Sequence, residues 1–214
     1  MKKLTKKAVC GSVVAAVSAL VVAGQAAAAE ISASAAVASS YLWRGYDLGS
    51  GTPAVSGDLV INSGGAYAGV WGSSGDTGVG TEYDFFAGYG SALGAFTFDI
   101  SVWNYNYPTG PEEIDAGDLT EVILSVGAGP MTLSYYDNVA GASGYEYYTL
   151  GFDIDRFSVL LGMHDYPSGD DPVHLNLSYA YNENLSFTLS QFISDEPAGD
   201  DLKFVVSYSL PIVD

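Results

Sequence analysis

Carboxylates supply most of the ionisable chemistry in this chain. Its 214 residues hold 25 Asp and Glu against seven Lys and Arg. Four of those seven are Lys2, Lys3, Lys6 and Lys7, so Arg44, Arg156 and Lys203 are the bases of the remainder. Such an excess repels nucleic acid and anionic ligands and attracts cations. The acids fall into two groups. Asp58, Glu82, Asp84, Asp99, Glu121 and Asp153, joined by Lys203, lie within alternating segments on the side opposite the apolar residues. Glu112, Glu113, Asp115 and Asp118, then Asp165, Asp170 and Asp171, then Asp195, Glu196, Asp200 and Asp201 crowd the stretches between such segments. The first group suits an acidic wall that solvates cations, the second an acidic rim that concentrates them or a plain solvated surface. Hard cations take carboxylate oxygens, but no stretch has the ordered spacing of a calcium loop. Neither a metal nor a cofactor is expected.

Nucleophilic catalysis needs a nucleophile within reach of a positioned base. His164 and His174 are the two histidines, with Ser158, Ser178 and Asn176 on the same faces. There is no G-x-S-x-G, and a lipid hydrolase would act on the lipid-facing side. The two histidines read as polar rim residues. No catalytic residue is expected, and the chain reads as not an enzyme.

Residues placed this way require strands to position them. Twelve candidates, bounded by Gly, Asp, Asn or Pro, cover 31–43, 52–61, 66–73, 80–89, 95–104, 119–128, 131–137, 145–154, 157–164, 173–181, 185–193 and 202–210. Phe157, Val159, Leu161 and Met163 oppose Ser158, Gly162 and His164; Leu202, Phe204, Val206, Tyr208 and Leu210 oppose Lys203, Ser207 and Ser209. A period of two puts the two sets on opposite faces. Connections alternate long and short, as in outer-membrane barrels with long outer loops and short periplasmic turns. Trp43, Trp71 and Trp103 fall at one level, with Tyr145, Tyr147 and Tyr148, while Tyr89, Tyr179, Tyr181 and Tyr208 fall at the other. They are expected to form two interfacial girdles. A soluble β-sandwich also alternates, but explains neither the loop lengths nor the aromatic levels.

The N-terminus has a basic start, an apolar stretch from Val13 to Ala23 and the small residues Ala27, Ala28 and Ala29. That is the pattern of a secretory signal peptide cleaved before Glu30. Cys10 precedes the apolar stretch, so no disulfide or lipid anchor is expected of the mature chain. The fold expected for residues 30–214 is all-β, a transmembrane antiparallel up-and-down β-barrel of about 12 strands. Its place is the outer membrane of a Gram-negative bacterium. Arg44 and Lys203 are expected to meet Asp200 or Asp201 and seal the first strand to the last.

Four motifs carry a resemblance: Ser40-Tyr41-Leu42-Trp43-Arg44-Gly45, Tyr67-Ala68-Gly69-Val70-Trp71-Gly72-Ser73, Glu82-Tyr83-Asp84 leading to Ala87-Gly88-Tyr89, and Tyr105-Asn106-Tyr107-Pro108. With them the chain resembles the TorF family of porin-like proteobacterial proteins, which implies an outer-membrane barrel and a pore, with no established substrate. Passive diffusion of small cationic or neutral solutes through a narrow acidic channel is therefore the leading expectation. The alternative is a closed structural or adhesive barrel whose acidic loops meet partners or lipopolysaccharide. A lipid-modifying enzyme is the third. The surrounding partner in each case is outer-membrane lipid.

Overall fold

A computed structural model describes residues 29–78, 80–110, 114–141, 144–194 and 201–213. The signal segment lies outside these residues except for Ala29. The strands are β1 (Glu30–Ala38), β2 (Leu42–Trp43), β3 (Tyr46–Asp47), β4 (Ala54–Ser63), β5 (Ala66–Asp76), β6 (Gly80–Leu93), β7 (Phe96–Tyr107), β8 (Ile114–Ala128), β9 (Met131–Ala140), β10 (Glu146–Ile154), β11 (Phe157–Asp165), β12 (Val173–Ala180), β13 (Leu185–Ser194) and β14 (Lys203–Val213). Twelve of them pair antiparallel into a closed barrel, in which β1 joins β14 on one side and β4 on the other. β2 and β3 form a separate two-stranded hairpin.

The period-two pattern decides which face meets what. Phe157, Val159, Leu161 and Met163 are all exposed on the outside of β11, whereas His164 on the opposite parity is fully buried. Across the barrel the same inversion holds: Leu59, Ile100, Leu133, Phe152, Leu177 and Phe204 are exposed, while Glu82, Asp84, Glu121, His174 and Ser190 are buried. Exposed apolar rows around a polar interior are unfavourable in water and favourable in hydrocarbon. This places the barrel in the outer membrane. No helix among the described residues is long and apolar enough to cross a membrane.

Short turns at 64–65, 94–95, 129–130, 155–156 and 181–184 lie at the same end as Glu30 and Val213; the longer connections lie at the other. Several strands outrun their expected bounds. β6 continues to Leu93, β8 begins at Ile114, and β14 continues through Pro211 to Val213. Pro211, which has no N–H to donate, is accommodated where the β1–β14 register shifts between Ala33 and Ser34.

Two expectations fail at the outer end. The first strand does not reach Trp43. Its wall pairing ends where the Ser39 N–H donates to the Val206 carbonyl at 2.9 Å. Ser40, Tyr41 and Leu42 follow, and all three are buried. Consecutive buried residues cannot sit on a wall with lipid on one side. The chain turns into the lumen instead. The tryptophan girdle fails as well. Trp71 pairs in register with Asp58 and Asp84, and Trp103 with Phe86 and Glu121, so both indoles face inward. Trp103 stacks on Phe86 with ring centroids 4.2 Å apart. Outward aromatics do occur: Tyr135 and Tyr148 meet at 5.2 Å near the outer end, and Tyr89, Tyr181 and Tyr208 are exposed toward the other.

Candidate functional site

The lumen is organised around the β2–β3 hairpin. Trp43 pairs with Tyr46, leaving Arg44 and Gly45 as a two-residue turn with φ of 46° and 88°. Positive φ at both central residues is the type I′ pattern that matches strand twist. Gly45 is required twice over: a Cβ there would stand 2.7 Å from His174 Cγ and 3.0 Å from Phe192 Cζ. The base of the hairpin is tied by the Leu48 N–H to the Tyr41 carbonyl at 2.8 Å and by the Ser40 hydroxyl to Asp47. The Thr77 N–H donates to the Leu48 carbonyl at 3.0 Å and fixes the hairpin to the β5–β6 connection.

The hairpin meets much of the barrel wall. Leu42 packs with Ala38 and Val205. Tyr46 lies 4.8 Å from the Phe192 ring and 5.3 Å from the His164 ring. The Tyr41 hydroxyl donates to Glu82. Arg44 crosses to β8, where its Nη2 donates to Glu121 Oε2 at 2.6 Å and Oε1 at 2.9 Å. Both side chains are almost wholly buried. The guanidinium carbon also lies 4.6–5.7 Å from the ring centres of Trp43, Tyr136, Tyr145 and Tyr147, an aromatic cage that favours the cation. Burial works against the Arg44 charge, but Glu121 and the surrounding groups hold its pKa well above the ordinary arginine value.

A hydrogen-bond circuit returns to the same residue. The His164 Nε2 lies 2.9 Å from the Arg44 carbonyl, which can only accept, so Nε2 carries the proton. Nδ1 then accepts from the Tyr145 hydroxyl at 2.8 Å, and that hydroxyl oxygen accepts from Arg44 Nη1 at 3.3 Å. His174 is held similarly, with Nε2 2.7 Å from the Tyr147 hydroxyl and Nδ1 3.1 Å from Asn176 Oδ1. The histidines are neighbours, with ring centroids 6.0 Å apart. They belong to the packed interior, correcting the reading of two polar rim residues. Their ring nitrogens meet tyrosine, asparagine and backbone, contacts that hold the imidazoles in place.

The inward acids are distributed unevenly. Glu82, Asp84 and Glu121 lie together at the hairpin. Asp58 accepts from the Ser34 N–H at 2.7 Å, and Asp99 accepts from the Tyr67 hydroxyl at 2.9 and 3.0 Å. Asp153 is exposed near the short turns and accepts from the Ser158 hydroxyl at 2.5 Å. Lys203 shares parity with buried Val205, and its Nζ is 3.3 Å from the Asp201 carbonyl and 5.4 Å from the Phe192 ring centre. The expected seal by Arg44 at the barrel seam is corrected, because Arg44 engages Glu121 across the lumen. Of the rim acids, Asp118, Asp170, Asp171 and Asp201 are exposed and Asp165 ends β11. Asp115 lies on β8. Glu112, Glu113, Asp195, Glu196 and Asp200 lie outside the described residues.

Among curated proteins no match is found. Outer membrane phospholipase A from Escherichia coli is a solved structure similar to this one, with a TM-score of 0.46 and 10% sequence identity over 84% of this chain and 89% of that chain. The expectation of a porin for passive diffusion, with its ion transport, is corrected. The hairpin and its ion pair occupy the lumen. The expectation that the chain is not an enzyme is set aside, because the similar structure is named as a phospholipase; that likeness gives this chain no activity. Residues 22–193 match the model of a family described as bacterial protein of unknown function (Gcw_chp), and the chain belongs to that family.

Proposed function

We propose that this protein is an occluded structural barrel that binds lipopolysaccharide at its outer edge through bridging divalent cations. One observation carries the reading. Asp137 on β9, Glu146 on β10 and Asp165 on β11 are direct cross-strand neighbours. They share parity with the exposed Leu133, Leu150 and Leu161, so all three project outward at the end of the barrel with the long connections. Tyr135 and Tyr148 lie just below, and the Tyr148 hydroxyl donates to Glu146. Like charges directly opposite one another destabilise a sheet. A row of three favours a doubly charged, oxygen-seeking ion that can also meet a phosphate. Asp118, Asp170, Asp171 and Asp201 extend the acidic edge.

The Ser40-to-Gly45 motif, one of the four that carry the resemblance to the TorF family, serves here as the plug. Export removes residues 1–29 and leaves residues 30–214 as the working barrel. The test is retention of lipopolysaccharide by purified barrel in magnesium, counted by native mass spectrometry. Retention falls on chelation and in the D137N/E146Q/D165N variant. Equal retention in all three conditions refutes the proposal.

A further inference from the structure

Beneath the hairpin, three carboxylates converge on one side of the lumen. Glu82 and Asp84 sit two residues apart on the inward face of β6, and Glu121 faces inward on β8; their exposures are 3 %, 2 % and 1 %. One guanidinium, that of Arg44, reaches this group, and its bidentate contact goes to Glu121. The other two bases after residue 29 stand elsewhere: Lys203 over Phe192, and Arg156 at a short turn, donating to the Tyr181 carbonyl at 2.8 Å. Tyrosines face the acids as donors. Tyr41 and Tyr107 reach the two oxygens of Glu82, the latter at 2.7 Å, and Tyr105 reaches Glu121 Oε2 at 2.7 Å. Burial and the Glu82 carboxylate push the Tyr41 pKa far up, so its hydroxyl keeps the proton it donates.

Asp84 differs. The Asn106 backbone N–H lies beside its carboxylate, yet Oδ1 has no hydrogen-bond partner although it is buried. A buried carboxylate oxygen without a donor is costly. A water could satisfy its lone pairs and a proton could neutralise it, but only a cation would do both and also answer the charge of Glu82. We propose that Glu82 and Asp84 hold one divalent, oxygen-seeking cation of the calcium type inside the lumen, with Asp84 Oδ1 as a ligand and water supplying further oxygens. Two carboxylates beyond the Arg44–Glu121 pair match the charge of one such ion. Sequence spacing gave no sign of it because its donors do not form a contiguous loop. Tyr41 carries the hairpin onto the same carboxylate, so the ion would also brace the plug.

Calcium is the probe, titrated by calorimetry into folded barrel in detergent. The D137N/E146Q/D165N background removes the outward row of acids. This background should bind one calcium per barrel and unfold at a higher temperature with calcium than without. Adding D84N should weaken that binding at least about tenfold, through loss of a direct ligand, and abolish the thermal shift. E82Q is the second variant, should D84N fail to show the heat-modifiable mobility of a folded barrel. The proposal is overturned if the background binds no calcium, or if folded D84N or E82Q titrates as the background does.

Discussion

Replacing Arg44 by Met removes the one guanidinium at the acid cluster while keeping an apolar stem of similar length. Glu121 would remain at 1 % exposure with the Tyr105 hydroxyl beside it. Breaking a buried ion pair by removing one partner costs about 3–5 kcal/mol, because the other charge is left uncompensated. E121Q leaves the mirror-image problem, a caged guanidinium without its carboxylate, and should also fall within about 3–5 kcal/mol. The R44M/E121Q double variant contains neither orphan charge. It should be destabilised by less than the sum of the singles, with a coupling of about 2 kcal/mol. The assay is reversible urea unfolding in lipid vesicles followed by tryptophan fluorescence, which reports the lumen because Trp43 lies in the hairpin and Trp71 and Trp103 face inward. Single-variant losses below about 1 kcal/mol, as for an exposed pair, or strictly additive losses would refute the cross-lumen ion pair.

Two further outcomes are expected. G162A places a Cβ against His174 Nε2 and the Tyr147 hydroxyl. Overpacking there should cost about 1–3 kcal/mol in the same assay; an unchanged urea midpoint would show that the histidine–tyrosine packing is loose. Intact mass measurement of protein purified from the outer membrane should give a mature chain that begins at Glu30, and a chain retaining residues 1–29 would contradict the expected cleavage.

The barrel was legible because its signal is repetitive. Rows such as Phe157-Val159-Leu161-Met163 repeat from strand to strand, and hydrocarbon outside a polar interior leaves that pattern little freedom. The plug was not legible for a local reason. Ser40, Tyr41, Leu42 and Trp43 follow directly on an alternating strand and read as its continuation. The signal that could have found the hairpin is Arg44-Gly45 between the pairs Leu42-Trp43 and Tyr46-Asp47, a two-residue turn flanked by aromatics. Arginine at a left-handed position is a weak turn signal, and it becomes readable only once Glu121 stands opposite. The tryptophans share a level in the sequence, but their parity sets the face they occupy. Trp71 shares a face with Tyr67, and Trp103 with Tyr105, and a lumen filled by a hairpin has room for aromatic packing that an open channel lacks. The outward row Asp137-Glu146-Asp165 was split between strand ends and loops in the sequence, since cross-strand neighbours are far apart in the chain.

Closure of the lumen is the central claim, and planar-bilayer conductance tests it directly. Ala38 and Ala54 are paired in register, so residues 39–53 can be replaced by a two-residue Asn-Gly turn without opening the wall. Wild-type barrel should show no sustained channel steps, and the turn-replaced barrel should conduct and favour cations. Steady conductance by the wild type, or no gain on removing the hairpin, would contradict the account.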